Sequence, residues 1–298
     1  MICSLAGCGI VIDGEGGSTD SKASGASGAI GLSISTQNNP FFVTLAEGAK
    51  KATKQAGVPL TVVDASDDAT KVSDIEDLVS KNVSVLIVNP VDSDAVTGAV
   101  EAAIAKGVRV ISVDRVVNGV DIDCQIASDN VAGAELATQY IVDTLGENVK
   151  TAELVGTSGA SAAIDRSQGF HNIADKKLKV VASQTADFDR TQGMTIMENM
   201  LQADSSIQAV FAGNDEMALG AVEAISGAKK DVLVVGFDAT DDAIEAIRQG
   251  RMGATIAQQP DLIGSTAVEN AIRLTKGESI PKEIPVEVTL ITKDTVDK

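Results

Sequence analysis

The stretch IGLSISTQNNPFF, residues 30–42, combines an apolar run, a polar turn and two adjacent phenylalanines. This pattern predicts a buried first strand whose carboxyl end opens into a loop and then a helix. In open α/β sheets, ligands bind beyond the carboxyl ends of the strands, so this loop is a candidate binding segment. Phe41 and Phe42 belong to a chain with only six phenylalanines, one tyrosine and no tryptophan. Either the two rings fill the core, as phenylalanines commonly do, or they form a stacking surface.

Outward from this stretch, strand-like apolar runs alternate with helical stretches. The alternation predicts βαβ units and parallel sheets. A helical stretch at Asn130–Leu145 separates a first set of strands from a second, and an extended run at Val286–Thr292 closes the chain. A length of 298 residues fits two domains of ordinary size. The predicted fold class is therefore α/β, with two similar doubly wound parallel-sheet (Rossmann-like) lobes.

The composition argues against several classes of function. A formal net charge of −18 disfavours binding to nucleic acid and electrostatic attachment to an anionic membrane surface. The apolar runs are shorter than the roughly 18 residues that a membrane-spanning helix needs. The three cysteines, Cys3, Cys8 and Cys124, fit no zinc-binding spacing, and His171 is the single histidine. We therefore expect no bound metal, no cofactor and no disulfide scaffold.

The first 28 residues differ in character from the rest of the chain. Residues 4–8, SLAGC, resemble a bacterial lipobox, in which the cysteine is lipidated and becomes the mature N-terminus. The basic segment and most of the apolar run of a signal peptide do not precede it. A Gly/Ser-rich tract, residues 13–28, follows with the composition of a flexible tether. We expect residues 1–28 to be a lipoprotein signal remnant and tether, with Cys8 anchoring the protein to the outer face of the cell membrane. The alternative is an unmodified Cys8 in a periplasmic protein.

Polar side chains stand at the carboxyl ends of the predicted strands in both sets. These residues are Asn39, Asn89, Asp114, Arg115, Asn214, Asp238 and Gln258. If the two sheet edges face each other, their amides, carboxylates and guanidinium group line a cleft with little net charge. Carboxylates accept from neighbouring hydroxyls, arginine donates a forked pair of hydrogen bonds, and amides do both. Such a cleft suits a neutral polyhydroxylated ligand better than a phosphate or a nucleotide.

A sugar would also give the aromatic residues a function. The C–H faces of a sugar ring are apolar and pack on aromatic rings, so Phe41, Phe42 and Phe188 would have a surface to cover. In a site that is dry when closed, a wrong stereoisomer leaves a buried polar group unpaired. Strong discrimination between sugars is therefore expected.

Several separated motifs resemble, in order and spacing, the ribose-binding family of bacterial periplasmic proteins. These motifs are NNPFF (38–42), NPVDSDAV (89–96), SVDR (112–115), IASDN (126–130), ADFDR (186–190), NDEMALGA (214–221), VVGFD (234–238) and ATIAQQP (254–260). The resemblance extends from Ala29 to the C-terminus. Broader relatives of this family are the pentose- and hexose-binding proteins of ABC importers and the effector domains of sugar-responsive repressors.

The resemblance implies a set of ligand-binding residues. In this family, phenylalanines sandwich the pyranose ring and polar side chains surround it. Carried over by motif, the stacking residues are Phe41, Phe42 and Phe188. The hydrogen-bonding residues are Asn39, Asp114, Arg115, Arg166, Asn214, Asp238 and Gln258. Arg166 is assigned from its spacing to Gly169 and Phe170, and Asn89 and Phe237 are expected to support the pocket.

The resemblance also implies a type I periplasmic binding protein fold, with a three-strand hinge near Ser128, Gln258 and Glu287. The expected lobes are 29–128 plus 259–286 and 129–258 plus 287–298. Binding of D-ribose would close the lobes, and the permease of an ABC importer would recognise the closed form. A chemoreceptor is a further partner that the resemblance suggests. We expect a monomer with no nucleic acid partner.

Other functions stay open at this point. The alternative ligands are another monosaccharide, such as allose, xylose or galactose, and autoinducer-2. A sugar-acting enzyme would use Asp114 and Asp238 as paired carboxylates, but no activated nucleophile is visible, so we expect no catalytic residue and no enzymatic activity. A repressor effector domain predicts a basic helix-turn-helix before the first strand, where this chain has the Gly/Ser-rich tract.

Overall fold

The computed structural model describes residues 28–65 and 67–297, so Cys8 and nearly all of the predicted tether lie outside it. The first part of the described chain alternates strand and helix, as the sequence predicts. Its elements are β1 Ile30–Ile34, α1 Pro40–Ala56, β2 Leu60–Asp64, α2 Asp68–Ser80, β3 Val85–Val88, α3 Thr97–Ala105, β4 Arg109–Val113 and β5 Cys124–Ser128.

The second part repeats this alternation and ends in two short strands. Its elements are α4 Asn130–Leu145, β6 Lys150–Val155, α5 Ser161–Lys177, β7 Lys179–Thr185, α6 Arg190–Ala203, β8 Ala209–Ala212, α7 Asp215–Gly227, β9 Leu233–Val235, α8 Asp241–Arg248, β10 Ala254–Ala257, α9 Pro260–Thr275, β11 Glu283–Val286 and β12 Thr289–Thr292. The bounds of α4 agree with those of the predicted helical stretch at Asn130–Leu145.

The strands form two six-stranded sheets. The first sheet has the order β11-β5-β4-β3-β1-β2, and the second has the order β12-β10-β9-β8-β6-β7. All strand pairs of the first sheet are parallel. The second sheet is parallel except at its edge, where β12 is antiparallel to β10. The predicted fold class of two α/β lobes with parallel sheets is confirmed.

The extended run predicted at Val286–Thr292 is divided between two strands, because the chain changes sheets within it, where the family resemblance places a hinge crossing near Glu287. Strand β11 ends at Val286 in the first sheet, and β12 begins at Thr289 in the second. The two sheets face each other with their carboxyl edges, so a strand that runs toward this edge in one sheet continues away from it in the other. This direct passage explains why β12 is antiparallel, since a parallel strand would need a long crossover connection.

Burial on both faces explains the nearly continuous apolar sequence of the strands. In β3, Val85 and Ile87 pack with the side chains of α1 and α9. Leu86 and Val88 pack on the opposite face with α2 and α3. Because successive side chains of a strand point to opposite faces, a sheet covered by helices on both sides needs apolar residues at every position.

The chain passes between the sheets at three places. It leaves the first sheet after β5, returns after β10 through α9, which packs against α1, and crosses again between β11 and β12. Among the described helices, none has the length and hydropathy of a bilayer-spanning segment.

Candidate functional site

The carboxyl ends of the two sheets meet around one cavity. The residues that line it are Asn39, Phe41, Phe42, Asp114, Arg115, Arg166, Phe188, Asn214 and Asp238. All of them are among the predicted ligand-binding residues, and they lie in loops and helices that follow strands of both sheets. The remaining predicted residue, Gln258, is in direct contact with Asp238. The structure therefore brings the whole predicted set together.

The first contribution comes from the start of α1. Asn39 is the N-cap, and its Oδ1 accepts a hydrogen bond from the backbone N–H of Phe41 at 2.9 Å. Pro40 occupies the first helical position, where its missing N–H is tolerated. The rings of Phe41 and Phe42 then meet edge to face, with centroids 5.1 Å apart, and both are buried. The cap therefore fixes where this aromatic pair enters the cavity.

Asp114 follows β4 and is oriented by a neighbouring strand. Its backbone is left-handed, with φ 63°, which is uncommon for a residue other than glycine. Asn89, fully buried at the end of β3, donates from Nδ2 to Asp114 Oδ2 at 3.1 Å and to the carbonyl of Val113 at 3.2 Å. The same amide accepts from the N–H of Ser35 through Oδ1 at 3.0 Å. Asn89 thus supports the pocket from behind and lies outside the cavity lining.

Arg115 lies between aromatic rings from the two sheets. Its Nη1 donates to the carbonyls of Pro90 at 2.9 Å and Val91 at 3.2 Å. Its guanidinium carbon is 5.3 Å from the centre of the Phe42 ring and 5.4 Å from that of Phe188. The Nε atom is buried and has no hydrogen-bond partner. Arg115 is therefore held through Nη1, while its buried Nε has no hydrogen-bond partner in the protein.

Arg166 is the corresponding cation on the second sheet's side. In α5, its Nε donates to Asn130 Oδ1 at 2.8 Å and its Nη1 donates to the carbonyl of Gly213 at 2.7 Å. Nη1 lies 3.6 Å from Asp238 Oδ1. The guanidinium group stacks 3.9 Å from the centre of the fully buried Phe237 ring. Phe237 is therefore a platform for Arg166 and does not line the cavity.

Phe188 faces the aromatic pair from the other side of the cavity. It lies in the loop between β7 and α6, with a left-handed φ of 59°. Asn214, the N-cap of α7, accepts from the N–H of Met217 at 2.9 Å and donates to the carbonyl of Phe188 at 3.3 Å. A Cβ at Gly156 would lie 2.1 Å from the Phe188 ring, so only glycine permits this placement.

Asp238 and Gln258 complete the site at the ends of β9 and β10. Gln258 Nε2 donates to Asp238 Oδ1 at 2.7 Å, whereas Gln258 Oε1 is buried without a partner. The backbone of Asp238 is also left-handed, with φ 128°. Left-handed residues other than glycine persist only where the surrounding structure enforces them, and they concentrate at functional sites.

The charges of the cavity balance. Burial raises the pKa of the Asp114 and Asp238 carboxyls, because the charged form loses hydration. The guanidinium groups of Arg115 and Arg166 oppose this shift at Asp114, and Arg166 opposes it at Asp238. Burial also lowers the pKa of Arg115. Two carboxylates facing two guanidinium groups give a polar surface with little net charge, as the sequence predicts.

Two wider cavities adjoin the site and share residues with it. One, of about 430 Å³, shares Asn39, Phe42, Arg115 and Phe188. The other, of about 440 Å³, shares Phe41 and Asp238 and also contains Gln258. They are therefore the two openings of one cleft.

The cleft is closed along one edge by direct contacts that the sequence analysis did not identify. Ser93, beyond β3, donates its N–H to the carbonyl of Gly159 at 3.0 Å and accepts from the N–H of Ser161 at 3.3 Å. Ser161 in turn accepts from the N–H of Val116 at 3.0 Å. The sequence contained one indication of these contacts, since Ser93 and Ser161 each follow a predicted strand and the two strands belong to different sheets.

Lys71 is a second feature that sequence reasoning missed. It is fully buried in α2, and its Nζ donates to Ser33 Oγ at 2.9 Å and to the carbonyl of Ile34, below the start of the cavity loop. Burial lowers its pKa to about 7. A signal was present, since Lys71 lies one and two helical turns before the buried Ile75 and Leu78.

Within residues 28–65 and 67–297, no group of three histidine, cysteine or acidic side chains could hold a metal ion. Cys124 is a buried free thiol in β5.

Residues 30–279 match the periplasmic binding protein domain family. This range contains every residue of the cavity. The chain belongs to the periplasmic binding protein family. The predicted resemblance is thereby confirmed at the level of the family.

Relatives of this periplasmic binding protein include ribose import binding proteins. That of Bacillus subtilis (strain 168) is 51% identical over 265 residues, which cover 89% of this chain and 87% of the relative. That of Escherichia coli (strain K12) is 45% identical over 267 residues, which cover 89% and 90%. A D-apiose import binding protein of Actinobacillus succinogenes is 39% identical over 239 residues, which cover 78% and 77%. The resemblance to the ribose-binding proteins is thus confirmed.

Solved structures of the family share the fold. The Caulobacter myo-inositol binding protein with bound myo-inositol superposes with a TM-score of 0.86 at 31% identity, over 90% of this chain and 94% of that one. A periplasmic solute binding protein of Actinobacillus succinogenes with bound D-allose gives a TM-score of 0.85 at 30% identity, over 91% and 99%.

Proposed function

We propose that this chain is the extracytoplasmic substrate-binding protein of an ABC sugar importer and that it binds D-ribose in the cleft between the two sheets. The observation that carries the proposal is the convergence, around one cavity, of the residues implied by the ribose-binding motifs. The relatives at 45–51% identity that are named ribose import binding proteins support the choice of ribose.

Hydrogen-bonding groups that lack a protein partner would recognise the sugar hydroxyls. Arg115 Nε and Gln258 Oε1 are buried and have no hydrogen-bond partner in the protein, although Arg115 Nε lies 3.5 Å from Asp114 Oδ2. An unpaired buried polar group costs about 1–3 kcal/mol, so a hydroxyl that pairs with it contributes to affinity. Each side chain is already anchored to the protein through another atom, because Arg115 Nη1 donates to the carbonyl of Pro90 and Gln258 Nε2 donates to Asp238. The donors and acceptors are therefore oriented before the ligand arrives, which lowers the entropic cost of binding.

The balance of charge favours a neutral ligand. Asp114 with Arg115 and Asp238 with Arg166 form two ion pairs at the cavity, at 3.5 and 3.6 Å. A phosphate or carboxylate on the ligand would face both carboxylates at short range, whereas neutral hydroxyls can donate to Asp and accept from Arg.

Three aromatic rings would hold the sugar ring. Phe41 and Phe42 approach from the first sheet and Phe188 from the second. Their faces cover the apolar C–H surfaces of a pyranose, and this packing excludes water from the hydrogen bonds around it.

The proposed binding mechanism is closure of two lobes. The lobes are 29–128 plus 259–286 and 129–258 plus 287–298, and the three passages between the sheets act as the hinge. The contacts of Ser93 with Gly159 and Ser161 form when the cleft closes, and the ligand contributes further contacts to both lobes. The permease would recognise the closed form, as would a chemoreceptor. We propose that the protein acts as a monomer, held at the outer face of the cell membrane through a lipid on Cys8.

A different monosaccharide is the second candidate ligand. Relatives and neighbours include a D-apiose import binding protein, a myo-inositol binding protein and a periplasmic solute binding protein with bound D-allose. Allose, xylose, galactose and autoinducer-2 therefore belong in any test of selectivity.

We further propose that binding occurs without turnover. The two candidate carboxylates, Asp114 and Asp238, are held by the amides of Asn89 and Gln258 and by arginines. This arrangement suits recognition better than proton transfer. Release of product from ribose or ribosides, with loss of that activity in Asp114→Asn, would overturn the proposal of a pure binding protein.

Calorimetric titration of the full chain with D-ribose tests the binding proposal. We expect saturable heat for the wild-type protein and a loss of affinity of at least about a hundredfold in Arg115→Ala and in Asp238→Ala, because each leaves buried groups unpaired. Arg248→Ala is the matched control, since Arg248 is exposed and pairs with Asp297 away from the cavity. Wild-type affinity in both cavity variants would show that the cavity is not the ribose site.

A further inference from the structure

A buried carboxylate behind the cavity, that of Asp215, accepts hydrogen bonds from a turn that carries the cavity residue Asp238. Asp215, the first residue of α7, is fully buried and does not line the cavity. Its Oδ2 accepts hydrogen bonds from Thr240 N at 2.8 Å and Thr240 Oγ1 at 3.3 Å. Its Oδ1 accepts from Thr255 Oγ1 at 2.7 Å. All of these donors belong to the turn after β9 or to the strand β10 beside it.

The turn that Asp215 contacts carries Asp238 and is strained. Asp238 has φ 128° and Ala239 has φ 58°, so two consecutive residues without glycine's freedom are left-handed. The N–H of Ala239 donates to Thr255 Oγ1 at 3.2 Å, and that hydroxyl donates onward to Asp215. Two successive N–H groups of the turn, at 239 and 240, are thus anchored to one carboxylate, directly or through a hydroxyl.

The space for this carboxylate is built into the sheet. A Cβ at position 236 would lie 2.3 Å from Asp215 Oδ1, so Gly236 is needed for the approach. The backbone N–H of Asp215 donates to the carbonyl of Phe237 at 2.8 Å, which ties the start of α7 to the same segment. Burial raises the pKa of Asp215 to about 7, while the hydrogen bonds from Thr255 and Thr240 favour the charged form.

We propose that Asp215 is a positioning residue for the sugar site. It holds the turn of residues 238–240, which is left-handed at Asp238 and Ala239 and presents the Asp238 carboxylate to the cavity. The inference rests on the proposed sugar-binding function, to which it adds a residue that touches no ligand. Without the carboxylate, the strained turn loses the acceptor that compensates for its backbone conformation, and Asp238 loses its fixed orientation.

Asp215→Asn tests the inference. The asparagine side chain has the same shape, but its NH2 group would face the N–H and hydroxyl of Thr240 or the hydroxyl of Thr255, which are themselves donors to Asp215. In the ligand-free protein, we expect the amides of Ala239 and Thr240 to exchange hydrogen at least about tenfold faster, measured by NMR. This readout uses no sugar, so it separates a failure of the inference from a failure of the proposed function. In titrations with D-ribose, the affinity falls by at least about tenfold.

Glu153→Gln is the matched control, since Glu153 is a buried carboxylate in β6 of the second sheet whose partners are Ser183 and His171 and not the turn at 238–240. We expect it to change neither the exchange of the 239 and 240 amides nor the affinity. Thr255→Val provides a milder variant that removes the bridging hydroxyl and exposes the Ala239 amide to exchange. Unchanged protection of the turn in Asp215→Asn and Thr255→Val, or equal losses of affinity in Asp215→Asn and Glu153→Gln, would overturn the inference.

Discussion

The side-chain amide of Asn89 donates a hydrogen bond to the carboxylate of Asp114 across 3.1 Å. Asn89 also accepts from the N–H of Ser35, so one buried amide connects the ends of β3, β4 and β1. The amide fixes the orientation of a cavity carboxylate without reaching the cavity itself. The first sheet's half of the site is therefore organised before any ligand is bound.

Asn89→Ala should weaken ribose binding by about tenfold or more, because it frees Asp114 to rotate and leaves the Ser35 N–H unpaired. Calorimetric titration provides the measurement. The control is Asn118→Ala, which removes an exposed amide that donates to Asp94. Equal affinity in the two variants would contradict a supporting role for Asn89.

Phe188→Ala should reduce affinity far more than stability. The ring is only partly buried, so its loss removes little core, but it removes one side of the aromatic sandwich and should weaken binding by at least about tenfold. Phe170→Leu is the converse control, since Phe170 is fully buried and stacks on Phe211 away from the cavity. It should lower the free energy of unfolding by about 1–3 kcal/mol in urea titrations and leave affinity unchanged. If Phe188→Ala binds ribose normally, the ring is not a stacking surface.

Lys71 should make stability rise with pH. Burial lowers the pKa of Lys71 from 10.5 to about 7, whereas the unfolded chain keeps the ordinary value. Above about pH 7 the folded protein has released a proton that the unfolded chain still binds, so the free energy of unfolding rises by about 1.4 kcal/mol per pH unit until about pH 10. Below about pH 7 both states are protonated, and the full penalty of burying the charge applies.

The Lys71→Met variant isolates this effect. The difference in unfolding free energy between wild type and variant should shift by about 2 kcal/mol in favour of the wild type from pH 7.5 to pH 9. Lys81→Met, at the exposed end of the same helix, should show no such shift. A difference between wild type and Lys71→Met that does not vary with pH would mean that Lys71 does not titrate in this range.

Ala239→Gly should stabilise the protein. Ala239 is left-handed, with φ 58°, and a left-handed residue with a Cβ costs about 1–2 kcal/mol. Part of this gain is lost through the greater freedom of glycine in the unfolded chain, so we expect a net increase of about 0.5–1 kcal/mol in the free energy of unfolding. Ala102→Gly, on the exposed face of α3, should instead destabilise by about 1 kcal/mol. Destabilisation by both substitutions would argue against strain at position 239.

Much of the site was predictable because its signals are local in sequence. Asn39, Asp114 and Asp238 each follow an apolar strand, and the carboxyl ends of parallel strands point to the same edge. Phe41 and Phe42 could not be assigned this way, since a core pair looks the same. The family motifs favoured stacking, and the structure places both rings at the cavity.

Other features depend on contacts between distant segments. Nothing in the residues Asp114 and Phe188 indicates a left-handed backbone, because the surrounding loops enforce it. The pairing of Ser93 with Ser161 requires knowledge of how the sheets face each other. The change of sheets at Glu287–Val288 was implied only by the family resemblance, which places a hinge crossing near Glu287, because both halves of the last run have strand-like sequence.

The central claim is that the cleft selects D-ribose. Calorimetric titration of the full chain with D-ribose, arabinose, xylose, allose, galactose and autoinducer-2 tests it most directly. The account predicts that ribose binds most tightly, by at least about tenfold over every other member of the panel, because each misplaced hydroxyl leaves a buried polar group unpaired. No heat with ribose and a clear signal with another of these ligands would contradict it.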